Sequence, residues 1–410
     1  MKTVSERMLE YVRFNTQSND STGRHPSTPG QFEFARHLAK ELRELGVERV
    51  RVSEFAYVFG EIPPSAGCGE APALGLVAHM DTSADAPGDN VRPQLVEYRG
   101  GVIPLGDSGR TLDPAVFPEL NRLTGHTLIT TDGTTLLGAD DKAGIAEILT
   151  AVERVAAGDL PHGKLCIGFT PDEEVARGTV NFNIEHFGAA YAYTFDGGEV
   201  GTLESENFNA GTAVVTVKGV GVHPGLSKGK MVNSLRYAAK FIEALPADVS
   251  PECTEKYEGF LHPNMMEGNV VTTTIRILVR DHDKALYEAK KAFLVDLTAK
   301  MNREHPKTKF EITIKDSYEN MRPYLDKAPK VLDIVRIAYR AAGLEPIEEP
   351  IRGGTDGARL SVRGLPCPNV FTGGMNFHGV YECIPVKSLE KAADVAVKLA
   401  ELSAETKSLA

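Results

Sequence analysis

The stretch "PALGLVAHMDTS" (residues 72–83) decides how the rest of the chain is read. Leu74, Leu76, Val77 and Ala78 form a short continuous apolar run without polar alternation, the pattern of a strand buried in a sheet covered on both faces. Where the run stops, His79 and Asp81 follow two residues apart, which puts both side chains on the same face. Open α/β sheets bind ligands beyond the carboxyl ends of their strands, so this pair marks a place for chemistry.

The same signature recurs. "LCIGFTPDEEV" (165–175) is an apolar run followed by Asp172, Glu173 and Glu174, and "YTFDGG" (193–198) delivers Asp196. "GADDKAGIA" (138–146) offers Asp140 and Asp141 in a loop leading into a helix, and "GMNFHG" (374–379) offers His378 after the last strand. Taken singly, each is ordinary. A lone histidine is usually structural, an Asp before Gly or Asp is usually turn chemistry, and two adjacent glutamates usually lie in a solvated loop. Side by side, however, Glu173 and Glu174 repel each other unless a positive charge sits between them or they face different ways. An ordered set of such groups at successive strand ends points to a metal. Mixed His/Asp/Glu donors without thiolate suit zinc, with manganese or cobalt as substitutes. Two histidines and three carboxylates are too many for one catalytic ion with three ligands and a water, but they suit two ions sharing a bridging carboxylate.

Between these landmarks the chain alternates helix and strand signals. "STPGQFEFARHLAKELRELGV" (27–47) has Ser27 or Thr28 to cap it, Pro29 near the first turn, one apolar face, and Gly46 to stop it. "AGIAEILTAVERVAAG" (143–158) and "SLEKAADVAVKLAELSAE" (388–405) read as further helices. The rhythm changes between Asn207 and Ser317, where strand, helix, strand, long helix and strand follow in a β-α-β-α-β order over a length sufficient for a small separate domain. The expected architecture is an α/β catalytic domain made of residues 1–206 and 318–410, interrupted by an inserted α+β domain at 207–317.

At 410 residues, 42% hydrophobic and 25% charged, the chain has the composition of a globular enzyme of more than one domain. A net charge of −11 and the lack of a Lys/Arg-rich run exclude nucleic acid and anionic membrane surfaces as partners. "MKTVSERMLEYVRFN" (1–15) reads as an amphipathic helix opened by a Thr3–Glu6 capping box rather than as a signal peptide. The five cysteines lie far apart and include no CxxC pair, which argues against disulfides and thiolate zinc sites and for a cytoplasmic location.

The motifs "LVAHMDT", "GADDKAGIA", "TPDEEV", "FDGG", "VGVHPG", "RDHD", "IRGGTDGARL" and "NFHG" resemble those of the co-catalytic di-zinc exopeptidase family, in particular its tripeptide aminopeptidases. The likeness runs over nearly the whole chain. It implies an α/β catalytic domain with an inserted lid or dimerisation domain, two zinc ions per subunit, small peptides as substrates and a homodimer formed through the inserted domain. Asp140 would bridge the ions, with His79 and Asp196 completing one and Glu174 and His378 the other. Glu173 would be the general base, and Asp81 would orient His79. A cis peptide after Asp140 is also implied. His223 of "GVHPG" would stabilise the scissile carbonyl in the site of the other protomer. Arg280 and Arg352 are candidates for the substrate's terminal carboxylate, because a guanidinium matches a carboxylate fork. "RGGTDG" (352–357) lacks the Gly-Lys-Ser/Thr ending of a phosphate loop and reads as backbone approaching a peptide. The segment after His378, "GVYECIPVKSLE" (379–390), departs from the polar-aromatic sequence expected there. A dipeptidase or an N-acyl-amino-acid amidohydrolase would use the same metal set. A non-catalytic metal-bound scaffold would have no need of Glu173.

Overall fold

The computed structural model describes residues 1–158 and 160–409. The chain divides into two compact units, one formed by Met1–Ser205, Met321–Glu349 and Thr355–Ala410, the other by Glu206–Asn320 and Pro350–Gly354. The inserted unit therefore takes in Pro350–Gly354, a piece that the reading of the sequence leaves in the second catalytic segment.

The first unit is built on an eight-stranded mixed sheet. At its centre four parallel strands lie side by side in the order Leu165–Thr170, Leu74–His79, Tyr191–Gly197, Asn369–Phe371. All six residues of Leu74–His79 are buried, as the continuous apolar run requires. Leu74, Leu76 and Ala78 pack into the core that joins the sheet to helices Val4–Tyr11, Gly30–Glu44, Ala139–Ala157, Lys330–Ala341 and Val386–Ser403. Val77 points the other way, into a smaller cluster with Phe59, Phe182 and Phe187. Gly75 is needed on that face, because a Cβ there would lie 2.7 Å from the Phe187 ring. With both faces covered, the strands can only present groups at their ends, and the four carboxyl ends lie together.

Two local expectations are corrected. Ser27 and Thr28 do not cap the helix at Gly30–Glu44, whose N-cap is Pro29 without a side-chain hydrogen bond. Ser27 is used elsewhere, as described below. In the second unit the sheet has four antiparallel strands in the order Phe260–Gly268, Thr272–Asp281, Asn209–Lys218, Lys309–Tyr318, with helices Ser234–Glu243 and Lys284–Glu304 packed on it. The sequence order is β-α-β-β-α-β, one strand more than expected. Phe260–Gly268 escapes notice because Pro263 interrupts it; proline is tolerated there since the strand lies at the sheet edge and is irregular between Pro263 and Met265.

The helix Ala139–Ala157 buries Glu147 completely, and neither carboxylate oxygen has a hydrogen-bond partner among the described residues. Burial raises its pKa well above the ordinary value, so the fold holds it as the neutral acid. A group raised in the folded state contributes its full stability below the unfolded pKa near 4.5 and loses it as pH rises toward the folded one. Glu147→Gln is therefore expected to match the parent in stability at pH 4 and to exceed it at pH 8. Urea unfolding of both proteins at the two pH values measures the difference.

Candidate active site

The carboxyl ends of the central strands bring His79, Asp140, Glu174, Asp196 and His378 together. Asp140 lies between the histidines: its Oδ1 is 2.9 Å from His79 Nε2 and its Oδ2 is 3.2 Å from His378 Nε2. Asp196 Oδ1 is 3.5 Å from His79 Nε2, and Glu174 Oε2 is 3.1 Å from His378 Nε2. Each carboxylate thus faces the imidazole with which it is paired in the sequence reading, and Asp140 faces both. Ligand atoms of His79, Asp140 and Glu174 lie within 4.8 Å of one another, as do those of His79, Asp141 and Asp196.

The peptide bond between Asp140 and Asp141 is cis, neither residue has helical backbone angles, and their side chains part ways. Asp141 turns inward, where Oδ2 accepts from the His79 amide (2.9 Å) and Oδ1 from the Gly144 amide (3.2 Å). Its oxygens are spent on backbone. Asp81 behaves similarly. Its carboxylate accepts the amides of Glu173 (2.9 Å) and Glu174 (3.1 Å), while His79 Nδ1 lies 3.0 Å from the Asp81 backbone oxygen and 3.5 Å from its carboxylate. The nearer contact orienting His79 is thus main chain. His378 Nδ1 is 3.1 Å from the exposed carboxylate of Asp85.

The two adjacent glutamates have different surroundings. Glu174 sits against His378 and Asp140, with its Oε1 buried and unpartnered among the described residues. Glu173 has no hydrogen bond or ion pair to its carboxylate among the described residues and belongs to neither metal-holding group. Its pKa is raised well above the ordinary value by burial, with Asp196 and Asp356 adding to the rise.

The electrostatics are those of a site short of positive charge. Burial, then Asp140, push Glu174 up to about 7. Burial is also the largest influence on Asp196, which is raised. His378 is driven to about 11, first by its hydrogen bond to Asp140 and then by that to Glu174. His79 is raised despite the burial that opposes it, through Asp196 and Asp140. Asp140 alone among the site carboxylates is lowered, because its bonds to both imidazoles outweigh burial. The N/O donor set, with an unpartnered buried Glu174 oxygen, fits first-row divalent ions.

One residue that the sequence does not single out organises the Asp140 loop. Glu382, fully buried, accepts the amides of Leu137 (2.8 Å), Gly138 (2.8 Å) and Asp140 (3.1 Å). It belongs to the divergent segment after His378, and its only signal is a glutamate beside the apolar "CIP" run.

The remaining sequence candidates belong to the second unit. His223 is exposed and caps the short turn Pro224–Leu226, with its Nδ1 accepting from the Gly225 amide. Arg280 donates through Nη1 to the backbone oxygens of Gly211 and Val279. Arg352 donates to the oxygens of Lys256 and Glu258 and to Thr254 Oγ1, and its guanidinium lies over the rings of Phe208 and Phe260. Arg352 thereby fastens Pro350–Gly354 to its unit.

A sheet whose strand ends gather imidazoles and carboxylates around unpartnered buried charge is the framework of a metal-binding hydrolase. The model of peptidase family M20/M25/M40 matches residues 126–402, and the chain belongs to that family. It is 50% identical to the peptidase T of Aliivibrio fischeri over 98% of this chain and 99% of the relative. In fold it is similar to the aminopeptidase PepT of Bacillus cereus (22% identity) and to a tripeptidase of Staphylococcus aureus (23% identity), each with a TM-score of 0.78 and 98% of both chains covered. Among the described residues no helix is long and apolar enough to cross a membrane.

Removing Glu382 leaves two buried amides and the part-buried Asp140 amide without an acceptor. Glu382→Ala is therefore expected to lower the stability of the metal-free protein by at least about 2 kcal/mol, at roughly 1 to 3 kcal/mol for each buried unsatisfied group. Urea denaturation in the presence of a chelator measures it; a variant as stable as its parent would show that Glu382 does not hold the loop.

Proposed function

We propose that this chain is a di-zinc aminopeptidase that releases the N-terminal residue from tripeptides. The observation that carries the reading is the division of Asp140, with one oxygen toward His79 and the other toward His378. In this reading His79, Asp140 and Asp196 would hold one ion, and Asp140, Glu174 and His378 would hold the other. When bound, the ions supply Lewis acidity and a water acidified toward neutral pH. Glu173, unpaired and outside the ligand groups, takes the proton of the attacking water and returns it to the leaving amine. Asp81 fixes the backbone of the base and its neighbour.

The names of the relatives support tripeptides as substrates. Arg280 is assigned the terminal carboxylate of the peptide, since its Nε and Nη2 make no hydrogen bond among the described residues, whereas both Nη atoms of Arg352 are engaged. His223, exposed on the inserted unit, is assigned the scissile carbonyl of the partner's site in a homodimer. Free thiols at all five cysteines fit a cytoplasmic enzyme.

The zinc-loaded protein offered free di-, tri- and tetrapeptides and N-acetylated tripeptides is expected to turn over the free tripeptides best. Preference for dipeptides or N-acetylated substrates would establish the dipeptidase or amidohydrolase reading, and no turnover of any would leave a metal-bound scaffold. Glu173→Ala should keep its zinc by elemental analysis while losing about 10² to 10⁴ in rate.

The partner contribution has its own test. His223→Ala and Glu173→Ala homodimers should both be nearly inactive. In a mixed dimer one site collects both defects and the other neither, so random mixing restores about one site in four by the symmetry of a closed two-fold dimer. Heterodimer demonstrated by mass without recovered activity would place His223 outside the partner's site.

A further inference from the structure

The loop bearing Glu173 and Glu174 is gripped from two sides. One is the Asp81 carboxylate, which takes both glutamate amides. The other is Asp172, fully buried, to which the proposed chemistry gives no part. Asp172 Oδ1 accepts from Ser27 Oγ (2.5 Å) and Gln31 Nε2 (2.7 Å), and its Oδ2 accepts from the Ser27 amide (2.7 Å). His25 Nδ1 lies 3.0 Å from that Oδ2. Gln31 closes a two-way clamp, because its Oε1 accepts from the Asp172 amide at 3.0 Å.

Asp172 has φ +56°, in the left-handed region that a non-glycine residue adopts only where its surroundings hold it there. The turn sits immediately before Glu173, so it sets the direction in which the two glutamates leave the strand. Arg177, whose amide donates to the Asp172 oxygen at 2.9 Å, extends its guanidinium to the backbone oxygens of Asp20 and Arg24. The same N-terminal segment reaches the loop that follows His79: Gln17 Nε2 donates to the oxygens of Ser83 and Ala86, and the Ser18 amide to that of Thr82. Residues 17–31 form a strap across two of the loops that carry site residues.

Burying a carboxylate is costly unless several hydrogen bonds compensate, and Asp172 has them from Ser27, Gln31 and His25. Here those bonds do something specific, since neighbouring glutamates with like charge must be made to diverge. We propose that Asp172, clamped by Ser27 and Gln31, is a positioning residue that sends Glu174 toward His378 and leaves Glu173 free of it. This rests on the reading of Glu174 as ligand and Glu173 as base.

The test uses the full-length protein, with Gln31→Ala and Asp172→Asn singly and together, assayed on a free tripeptide and loaded with cobalt for its visible spectrum. Gln31→Ala is expected to lower kcat by about 10- to 100-fold with KM changed less than roughly threefold, and to alter the cobalt absorption bands. Because both residues act through one contact, the double variant should be no slower than Asp172→Asn alone. Parental kcat and spectrum in Gln31→Ala, or losses that simply add, overturn the proposal. If Asp172→Asn does not fold, Asp172→Gly, which suits the left-handed backbone but lacks the carboxylate, carries the same expectation. Glu173→Ala separates the two readings. Activity in that variant removes the base assignment whatever Gln31→Ala does, whereas an inactive Glu173→Ala beside a parental Gln31→Ala removes only the positioning role.

Discussion

Negative charge gathered in a place with little water is the constraint around which the first unit is arranged. A parallel sheet covered on both faces offers only the ends of its strands for polar work, and here Glu173, Glu174 and Asp196 at those ends meet Asp140 from the start of helix Ala139–Ala157, with two imidazoles among them. Burial first, and then the neighbouring carboxylates, raise Glu174 and Asp196, while the same carboxylates raise His79 and His378. A pair of divalent ions would relieve all four displacements at once.

Around the ligands stands a second group of carboxylates that serve the backbone. Asp81, Asp141, Asp172 and Glu382 each accept two or more hydrogen bonds, and main-chain amides are among the donors to every one. An ionised carboxylate is the strongest acceptor available for an amide that a loop cannot satisfy otherwise. Loops that present ligands cannot form regular ladders, so their amides are spare, and acidic side chains take them up. If Asp140 and Glu174 hold metal as proposed, the acidity of this region has two functions, holding metal and holding the irregular chain around it, and the two are divided between neighbouring residues in both Asp140–Asp141 and Asp172–Glu173–Glu174.

That division governs what could be read from the sequence. His79, Asp196 and the Asp172–Glu173–Glu174 group stood out as candidates because each follows an apolar run, a local signal, whereas the choice of Glu174 over its neighbours came from family likeness. The split within the aspartate pair came from family likeness, since nothing local distinguishes Asp140 from Asp141. Glu382 was not legible: its partners lie some 240 residues earlier, and a glutamate that binds amides looks like any other in a string of letters. Ser27 misled in an instructive way. Serine before a helix is normally a cap, and here the local rule gave way to a longer-range demand from Asp172. The edge strand Phe260–Gly268 was hidden by its proline, which is harmless where no neighbour asks for the missing N–H.

The position of the inserted unit has a consequence for how the protein comes into being. Tyr191–Gly197 and Asn369–Phe371 are neighbours at the centre of the sheet, yet Glu206–Asn320 lies between them in the chain. During synthesis the inserted unit, whose strands pair wholly within one continuous segment, can close as soon as it leaves the ribosome. The catalytic sheet has to wait with one long parallel edge unpaired until the last strands arrive, and non-local parallel pairing is slow. His378 arrives after all the other residues of the candidate site. A newborn chain therefore carries the acidic cluster before it carries the imidazole that faces Asp140 and Glu174, so the step that seals the sheet is also the step that completes the cluster.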